Sequence, residues 1–295
     1  MQNTTKDQTI CPVILNQTNL VAGNTNNNIY RYDFPGGAEF KNGKIAVSSI
    51  SIYYSWENIN VSNSNNTLSI IFPISNGMAG DTTATLSITF PDGTYSVSDM
   101  NEYLQSQMIL NNYYLINSSS NYVYYIEIVE NSVRYGIQLN CYPVPIAVPT
   151  GWTAPSATWG GVGLPNVLTN TPQLVVPSTN ITTLLGYAAG TFPSSQQVTT
   201  QSFLSTSTPE LSTVSSVIVG TSLVNNKLSS PRNVIYSFAP SGSYGDLISS
   251  YAYQYSWVDI VDGPTSSLDI ILYDQNFSAL QVIDTNIVIF MLIKM

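Results

Sequence analysis

Histidine is absent from the 295-residue sequence, and this absence removes several kinds of chemistry at once. Hydrolases that need a histidine base are excluded, and so are metal centres built on imidazole ligands. Cysteine is scarce as well: Cys11 and Cys141 are the only two, and their distant positions match no metal-binding spacing. We predict that both are buried free thiols.

Charged residues make up only 8% of the chain, against about 25% in typical soluble domains. The chain has eight Lys and Arg residues and 17 Asp and Glu residues, which gives a net charge of −9. No basic stripe is present, so we predict no direct nucleic-acid partner. Low charge leaves two interpretations: a neutral secreted-type β protein, or a subunit whose surface is buried against copies and partners.

Long apolar runs are missing too. The most continuous one, residues 286–294, is too short for a bilayer, which needs about 20 apolar residues. The N-terminus is polar and has no apolar signal core. We therefore predict no signal peptide, no transmembrane segment, no membrane partner and synthesis in the cytoplasm.

Short strands separated by polar turns are abundant at both ends of the chain. Three are predicted in the first third and five in the last: 28–34, 44–56, 67–72, 213–224, 233–238, 251–260, 267–273 and 285–294. Eight strands is the number found in a jelly roll. The fold prediction is therefore mainly β, a single eight-stranded antiparallel jelly roll with an inserted β-rich domain.

The middle of the chain has a different pattern. It predicts a helix at 98–110, with Ser96 or Ser98 as its cap and Asp99 in the first turn. A second, short helix is predicted at 180–185, and Gly186 ends it in the left-handed conformation. The predicted domains are an N-terminal arm (1–28), a discontinuous jelly roll (29–74 and 209–295) and an inserted domain (75–208).

Several segments, in this order along the chain, resemble the penton, or minor capsid, proteins of virophages and polinton-type viruses. They are IAVSSISIYYSWENI (45–59), FPDGTYSVSDMN (90–101), LLGY (184–187), FP (192–193), SLVNN (222–226) and the closing strand that ends at 294. The resemblance runs from about residue 30 to the C-terminus. It implies a jelly-roll subunit of which five copies close each vertex of an icosahedral shell.

The functional prediction is accordingly a structural protein and not an enzyme. We expect the protein to form the homopentameric vertex of an icosahedral double-stranded DNA virion, with the major capsid protein as its second partner. No catalytic, cofactor-binding or metal-binding residue is assigned. Two alternatives stay open, a receptor- or glycan-binding viral surface module (lectin-like or fibre knob) and, behind it, a carbohydrate-active enzyme.

Uncharged aromatic residues are the candidates for subunit contacts. Tyrosine joins a large apolar area to a hydroxyl group, which suits such surfaces. For each tyrosine, interface and core are equally open interpretations, because about half of a strand's side chains point into its own core. The candidate clusters are Tyr53-Tyr54, Tyr113-Tyr114, Tyr124-Tyr125 and Tyr251/Tyr253/Tyr255.

Three further groups of side chains carry predictions of their own. Asp92, Asp259 and Asp262 lie near turns, and the latter two fall short of the oxygen count that calcium needs. In the long 141–171 loop, Trp152 and Trp159 either stack on sugar rings or anchor the loop, and we favour anchoring. Alternation in the last strand places its apolar residues on both faces, and Phe290 is predicted to lie in the core.

Overall fold

A computed structural model of the chain describes residues 9–74, 82–155 and 170–295. Within these residues the fold is mainly β, as predicted, with two α-helices, α1 (Val97–Leu110) and α2 (Ile181–Leu185). The strands, in chain order, are β1 (Ile10–Asn16), β2 (Ile29–Phe40), β3 (Lys44–Tyr53), β4 (Thr67–Ile74), β5 (Thr82–Thr89), β6 (Leu115–Ile116), β7 (Tyr122–Val123), β8 (Ile126–Asn131), β9 (Gly136–Cys141), β10 (Gln173–Val176), β11 (Gly190–Phe192), β12 (Gln201–Leu204), β13 (Val217–Thr221), β14 (Val234–Phe238), β15 (Leu247–Tyr251), β16 (Val258–Asp259), β17 (Gly263–Tyr273) and β18 (Ile287–Lys294).

The chain forms two compact units. The first unit consists of Met1–Trp56 and Ser212–Met295, and the second consists of Glu57–Leu211. The domain boundaries predicted from the sequence stay a prediction, and the units are described one at a time.

The first unit contains two antiparallel sheets. One has the order β1-β18-β3-β15, with β16 also paired to β3, and the other has the order β14-β13-β17-β2. Both sheets contribute buried residues to one hydrophobic core, for example Ile50 and Ile289 from the first sheet and Leu268 and Ile270 from the second. Two sheets that share one core make this unit a β-sandwich.

The N-terminal segment predicted as an arm contains a strand of this sandwich. β1 pairs with β18 from Ile10↔Lys294 to Asn16↔Val288, and its Val13 and Leu15 are buried in the core. The alternation of buried and exposed residues in this apolar segment explains the pairing. The polar residues around it concealed that alternation in the sequence.

The strand predicted for the sandwich at 67–72 belongs instead to the second unit. β4 pairs with β5 along its whole length and with β10 on its other side. Its Ile70 and Phe72 are buried in the second unit's own core. The local pattern identified the strand and its neighbouring turn correctly. It contains no information about which strands pair with it, so the predicted place in the sandwich was wrong.

The strand predicted at 251–260 is wrong in its extent. β15 ends at Tyr251, and only Val258–Asp259 resumes pairing with β3, as β16. The alternating tyrosines between them suggested a strand, but Tyr253 is fully exposed. Without burial on one face, nothing fixes this segment in the sheet register.

The second unit has sheets of the order β11-β10-β4-β5, β12-β9-β8 and β6-β7. Helix α1 confirms the prediction to within one residue, and Ser96 caps it through a reciprocal bond with Asp99. Hydrogen bonds from the Ser96 backbone N–H and from the Ser96 hydroxyl to the Asp99 carboxylate lower the pKa of Asp99. Helix α2 ends, as predicted, at Gly186 with a φ of 71°. A Cβ at Gly186 would collide with the Ser207 carbonyl, so glycine is required there.

Candidate assembly surface

The tyrosines proposed as interface candidates divide between core and surface. Tyr113 and Tyr125 are buried in the second unit, where the Tyr113 ring stacks on Phe72 with centroids 4.4 Å apart. The half-buried ones are Tyr53, Tyr54, Tyr114 and Tyr124. The exposed ones, all in the first unit, are Tyr251, Tyr253 and Tyr255.

The last strand, β18, separates its side chains between the core and the outer face of its sheet. One set is buried in the sandwich core: Ile287, Ile289, Met291 and Ile293. The other set points away from the core: Val288, Phe290 and Leu292. Phe290 is therefore half-buried on the outer face, and the prediction that it lies in the core is wrong. The predicted alternation was correct, but the face that packs into the core is the one that carries the isoleucines.

Neighbouring strands extend this outer face. Ile14 of β1 lies opposite Phe290 of β18, which lies opposite Ser49 of β3. On the far side of β3, Leu247 of β15 pairs with Tyr53. We use the name outer face for the outward residues Ile10, Ile14, Tyr53, Leu247, Tyr251, Val288, Phe290 and Leu292.

Two properties distinguish the outer face from an ordinary solvated sheet. Five of its residues are large, exposed hydrophobic side chains: Ile10, Ile14, Leu247, Tyr251 and Val288. In addition, β1, β3, β15 and β18 contain no Asp or Glu, although the chain carries a net charge of −9. Antiparallel sheets normally present polar residues on a solvated face. Ser49, Ser51 and Ser249 lie between these residues on the same side of the sheet, so the face combines apolar and hydroxyl-bearing side chains and carries no acidic ones. Exposed apolar side chains grouped on one face are typical of an interaction surface.

Charges occur only at one rim of the outer face. The Lys44 ammonium lies 3.1 Å from Asp259, and the Lys294 ammonium lies 5.7 Å from the ring centre of Trp257. Asp259 is largely exposed, and exposed pairs contribute only about 0–1 kcal/mol. Apolar contact and hydrogen bonds, rather than ion pairs, are therefore the available sources of binding energy on this face.

Of the aspartates near turns, Asp92 and Asp262 accept backbone hydrogen bonds and Asp259 forms an ion pair. Asp262 accepts a hydrogen bond from the Asn42 N–H at 2.7 Å, and Asp92 accepts one from the Val61 N–H at 2.9 Å. Asp259 pairs with Lys44. Across residues 9–74, 82–155 and 170–295, no group of three or more His, Cys, Asp and Glu residues is arranged to hold a metal ion.

The remaining candidates are aromatic or sulfur-containing. Trp152 is half-buried and packs against the core of the second unit, which fits an anchor for its loop. Trp159 lies outside the described residues. Cys11 and Cys141 are free thiols, Cys11 half-buried and Cys141 buried, and burial raises the pKa of Cys141 to about 12.

None of the described helices is both long and apolar enough to cross a membrane.

Neither a protein-family model nor a curated protein sequence matches the chain. Among solved structures, it is similar to the crystal structure of the mavirus penton protein. The similarity covers 98% of each chain, with a TM-score of 0.44 and 7% sequence identity. The resemblance noted in the sequence is likewise to penton proteins.

Sequence reasoning missed most of the outer face. It recognised that both faces of β18 are apolar, but it assigned Phe290 to the core and did not identify the strands that lie beside β18. The available signal was the alternation of β1 itself, in which Ile10, Pro12 and Ile14 point outward and Val13 and Leu15 inward. That pattern predicts a strand with one face in the core. Because two isoleucines lie on its other face, the pattern also indicates that a partner covers that second face.

Proposed function

We propose that this chain is a structural capsid protein that forms the pentameric vertex of an icosahedral double-stranded DNA virus particle. The observation that carries the proposal is the outer face, which is apolar and free of acidic residues in an otherwise acidic chain. A subunit of a closed shell needs such surfaces, because interface cores are depleted in charge. This role is structural, not catalytic.

The strand order supports a jelly roll as the vertex-forming unit. The first unit has eight principal strands, β1, β2, β3, β13, β14, β15, β17 and β18. Counted along the chain, one sheet has the order first, eighth, third, sixth, and the other has the order second, seventh, fourth, fifth. Two four-stranded sheets that exchange successive strands in this way fit the two Greek keys of a jelly roll.

A ring of five copies sets requirements for the contact surfaces. Its contacts are heterologous: one patch on each copy meets a different patch on the next. Each contact needs more than about 1,000 Å² of total buried area. The outer face supplies one patch, and the exposed Tyr253 and Tyr255 nearby in sequence supply large aromatic contacts of the type enriched in interfaces. The major capsid protein of the same virion surrounds the ring.

Co-expression with that major capsid protein tests the proposal. We expect closed icosahedral particles in which image reconstruction shows this protein at every five-fold vertex. Particles produced without it should have open vertices. Closed vertices in its absence, or its location on the three-fold or two-fold positions, would contradict the proposed function.

A further inference from the structure

A polar feature of the second unit lies on its β12-β9-β8 sheet. Three amide side chains form a hydrogen-bonded row there, which we call the amide row: Asn131, Gln138 and Asn140. Asn131 Nδ2 donates to Gln138 Oε1 at 2.9 Å, and Gln138 Nε2 donates to Asn140 Oδ1 at 2.9 Å. Asn140 Nδ2 then donates to Glu127 Oε1 at 3.1 Å.

The amide row has a fixed direction. Glu127 Oε1 also accepts the Tyr142 hydroxyl at 2.5 Å, and this hydrogen bond, more than burial, raises the pKa of Tyr142 to about 12. A carboxylate can only accept, so every amide in the row must turn its nitrogen toward Glu127. Each amide nitrogen has two hydrogens, and within the described residues the row uses one of them. Asn131 and Gln138 therefore each present a second, oriented N–H.

Arg134 lies at the other end of this row. It is the only Lys or Arg between residues 57 and 211. Its side chain is exposed, and neither ion pair found among the described residues, Arg31–Asp269 and Lys44–Asp259, involves it. The one cation of an acidic unit thus borders a row of oriented donors.

These groups line one groove of about 290 Å³, formed by Asn131, Arg134, Gln138, Ser202, Phe203 and Leu204. Ser202 donates its hydroxyl hydrogen to Asn140 Oδ1 at 2.7 Å, which leaves the Ser202 oxygen as an acceptor toward the groove. The groove therefore combines a cation, two donors, an acceptor and one apolar side chain, Leu204, because the Phe203 side chain packs against the core on the other face of the sheet. Its volume lies at the lower end of ligand sites and suits one small ring.

We propose that this groove binds a sugar that carries a carboxylate group. The planar Arg134 guanidinium matches a carboxylate with two parallel hydrogen bonds. Sugar hydroxyls act as both donors and acceptors, so they complement the second N–H of Asn131 and of Gln138 and the Ser202 oxygen. The apolar side chain of Leu204, which lies on the same face of the sheet as Gln138, meets the C–H face of the ring. This binding goes beyond the proposed vertex function and does not depend on it.

The charge balance selects a monoanion over other acidic ligands. One arginine neutralises one charge, and the net charge of −9 repels polyanions such as nucleic acids or polyphosphates. A simple anion would use the guanidinium alone and leave the amide row without a role. A neutral sugar would use the row but not Arg134.

Methyl β-glucuronide and methyl β-glucoside test the proposal, because they differ only in the carboxylate. Affinities are measured by NMR titration of the full chain. We expect methyl β-glucuronide to bind about tenfold more tightly than methyl β-glucoside, since charge-assisted hydrogen bonds are about twice as strong as neutral ones. Arg134→Gln should abolish this preference, and Arg134→Lys should retain part of it.

Arg232→Gln is the matched control, because Arg232 is an exposed arginine of the first unit and its loss changes the net charge equally. It should leave the preference unchanged. The proposal is overturned if the two sugars bind equally, if neither binds, or if Arg232→Gln and Arg134→Gln have the same effect. The last result would show a non-specific charge effect.

Discussion

At the scale of single residues, a buried tyrosine hydroxyl connects two strands of the second unit. Tyr187 Oη donates to the Phe203 carbonyl at 2.7 Å, and it accepts the Leu139 N–H at 3.1 Å. Phe203 and Leu139 are also register partners across β12 and β9. Burial raises the pKa of Tyr187 to about 12. The side chain thus provides a partner for a buried backbone N–H and for a part-buried carbonyl.

Replacing Tyr187 with Phe removes only this hydroxyl. We expect the free energy of unfolding to fall by about 1–3 kcal/mol, because a buried N–H and a part-buried C=O lose their partner. Urea denaturation measures this change. Tyr135→Phe is the control, since Tyr135 is exposed, and it should change stability by less than about 0.5 kcal/mol. Equal effects of the two variants would contradict the assignment.

The same residue predicts how stability depends on alkaline pH. The unfolded tyrosine loses its proton near pH 10, whereas folded Tyr187 keeps it until about 12. Its stabilising contribution is therefore complete below pH 10 and is lost as pH rises through that window. Between pH 9 and pH 11, we expect wild type to lose more free energy of unfolding than Tyr187→Phe. Parallel losses in denaturant titrations at the two pH values would refute this.

At the scale of elements, local patterns predicted most elements but not their partners. The capped helix α1, the end of α2 at Gly186 and the strand alternation of β18 are set by residues close in sequence, and the structure has them where predicted. Whether β1 or β4 completes the sandwich depends on pairing between residues more than 270 positions apart, as in Ile10↔Lys294. The pattern of one strand does not show which strands it pairs with. Because the outer face is built from several paired strands, it was only partly predicted.

Substitutions on the two faces of β18 should have different consequences. Ile289 is completely buried, so Ile289→Ala should lower the free energy of unfolding by about 2–5 kcal/mol. Phe290 is half-buried on the outer face, and Phe290→Ala should cost less in the isolated chain but should impair assembly. Thermal melting beside an assembly assay measures both effects. A larger loss of stability for Phe290→Ala than for Ile289→Ala would show that Phe290 lies in the core.

At the scale of the whole molecule, the shortage of charge predicts how the assembly responds to salt. Screening acts on exposed charges, and the outer face has them only at its rim. We expect less than about a twofold change in the assembled fraction as ionic strength rises from about 0.05 to 0.5 M. Sedimentation across a salt series measures it. Complete dissociation at moderate salt would mean that the few ion pairs dominate the contact.

The central claim is that five copies of this chain close a ring through the outer face. Native mass spectrometry of the purified protein tests it most directly, with Val288→Lys as the variant and Val133→Lys as its control. Both valines are exposed, but only Val288 lies on the outer face. The account predicts five copies for wild type and for Val133→Lys, and a folded monomer for Val288→Lys. A wild type that is monomeric at every concentration, or a Val288→Lys variant that still forms the five-copy ring, would contradict it.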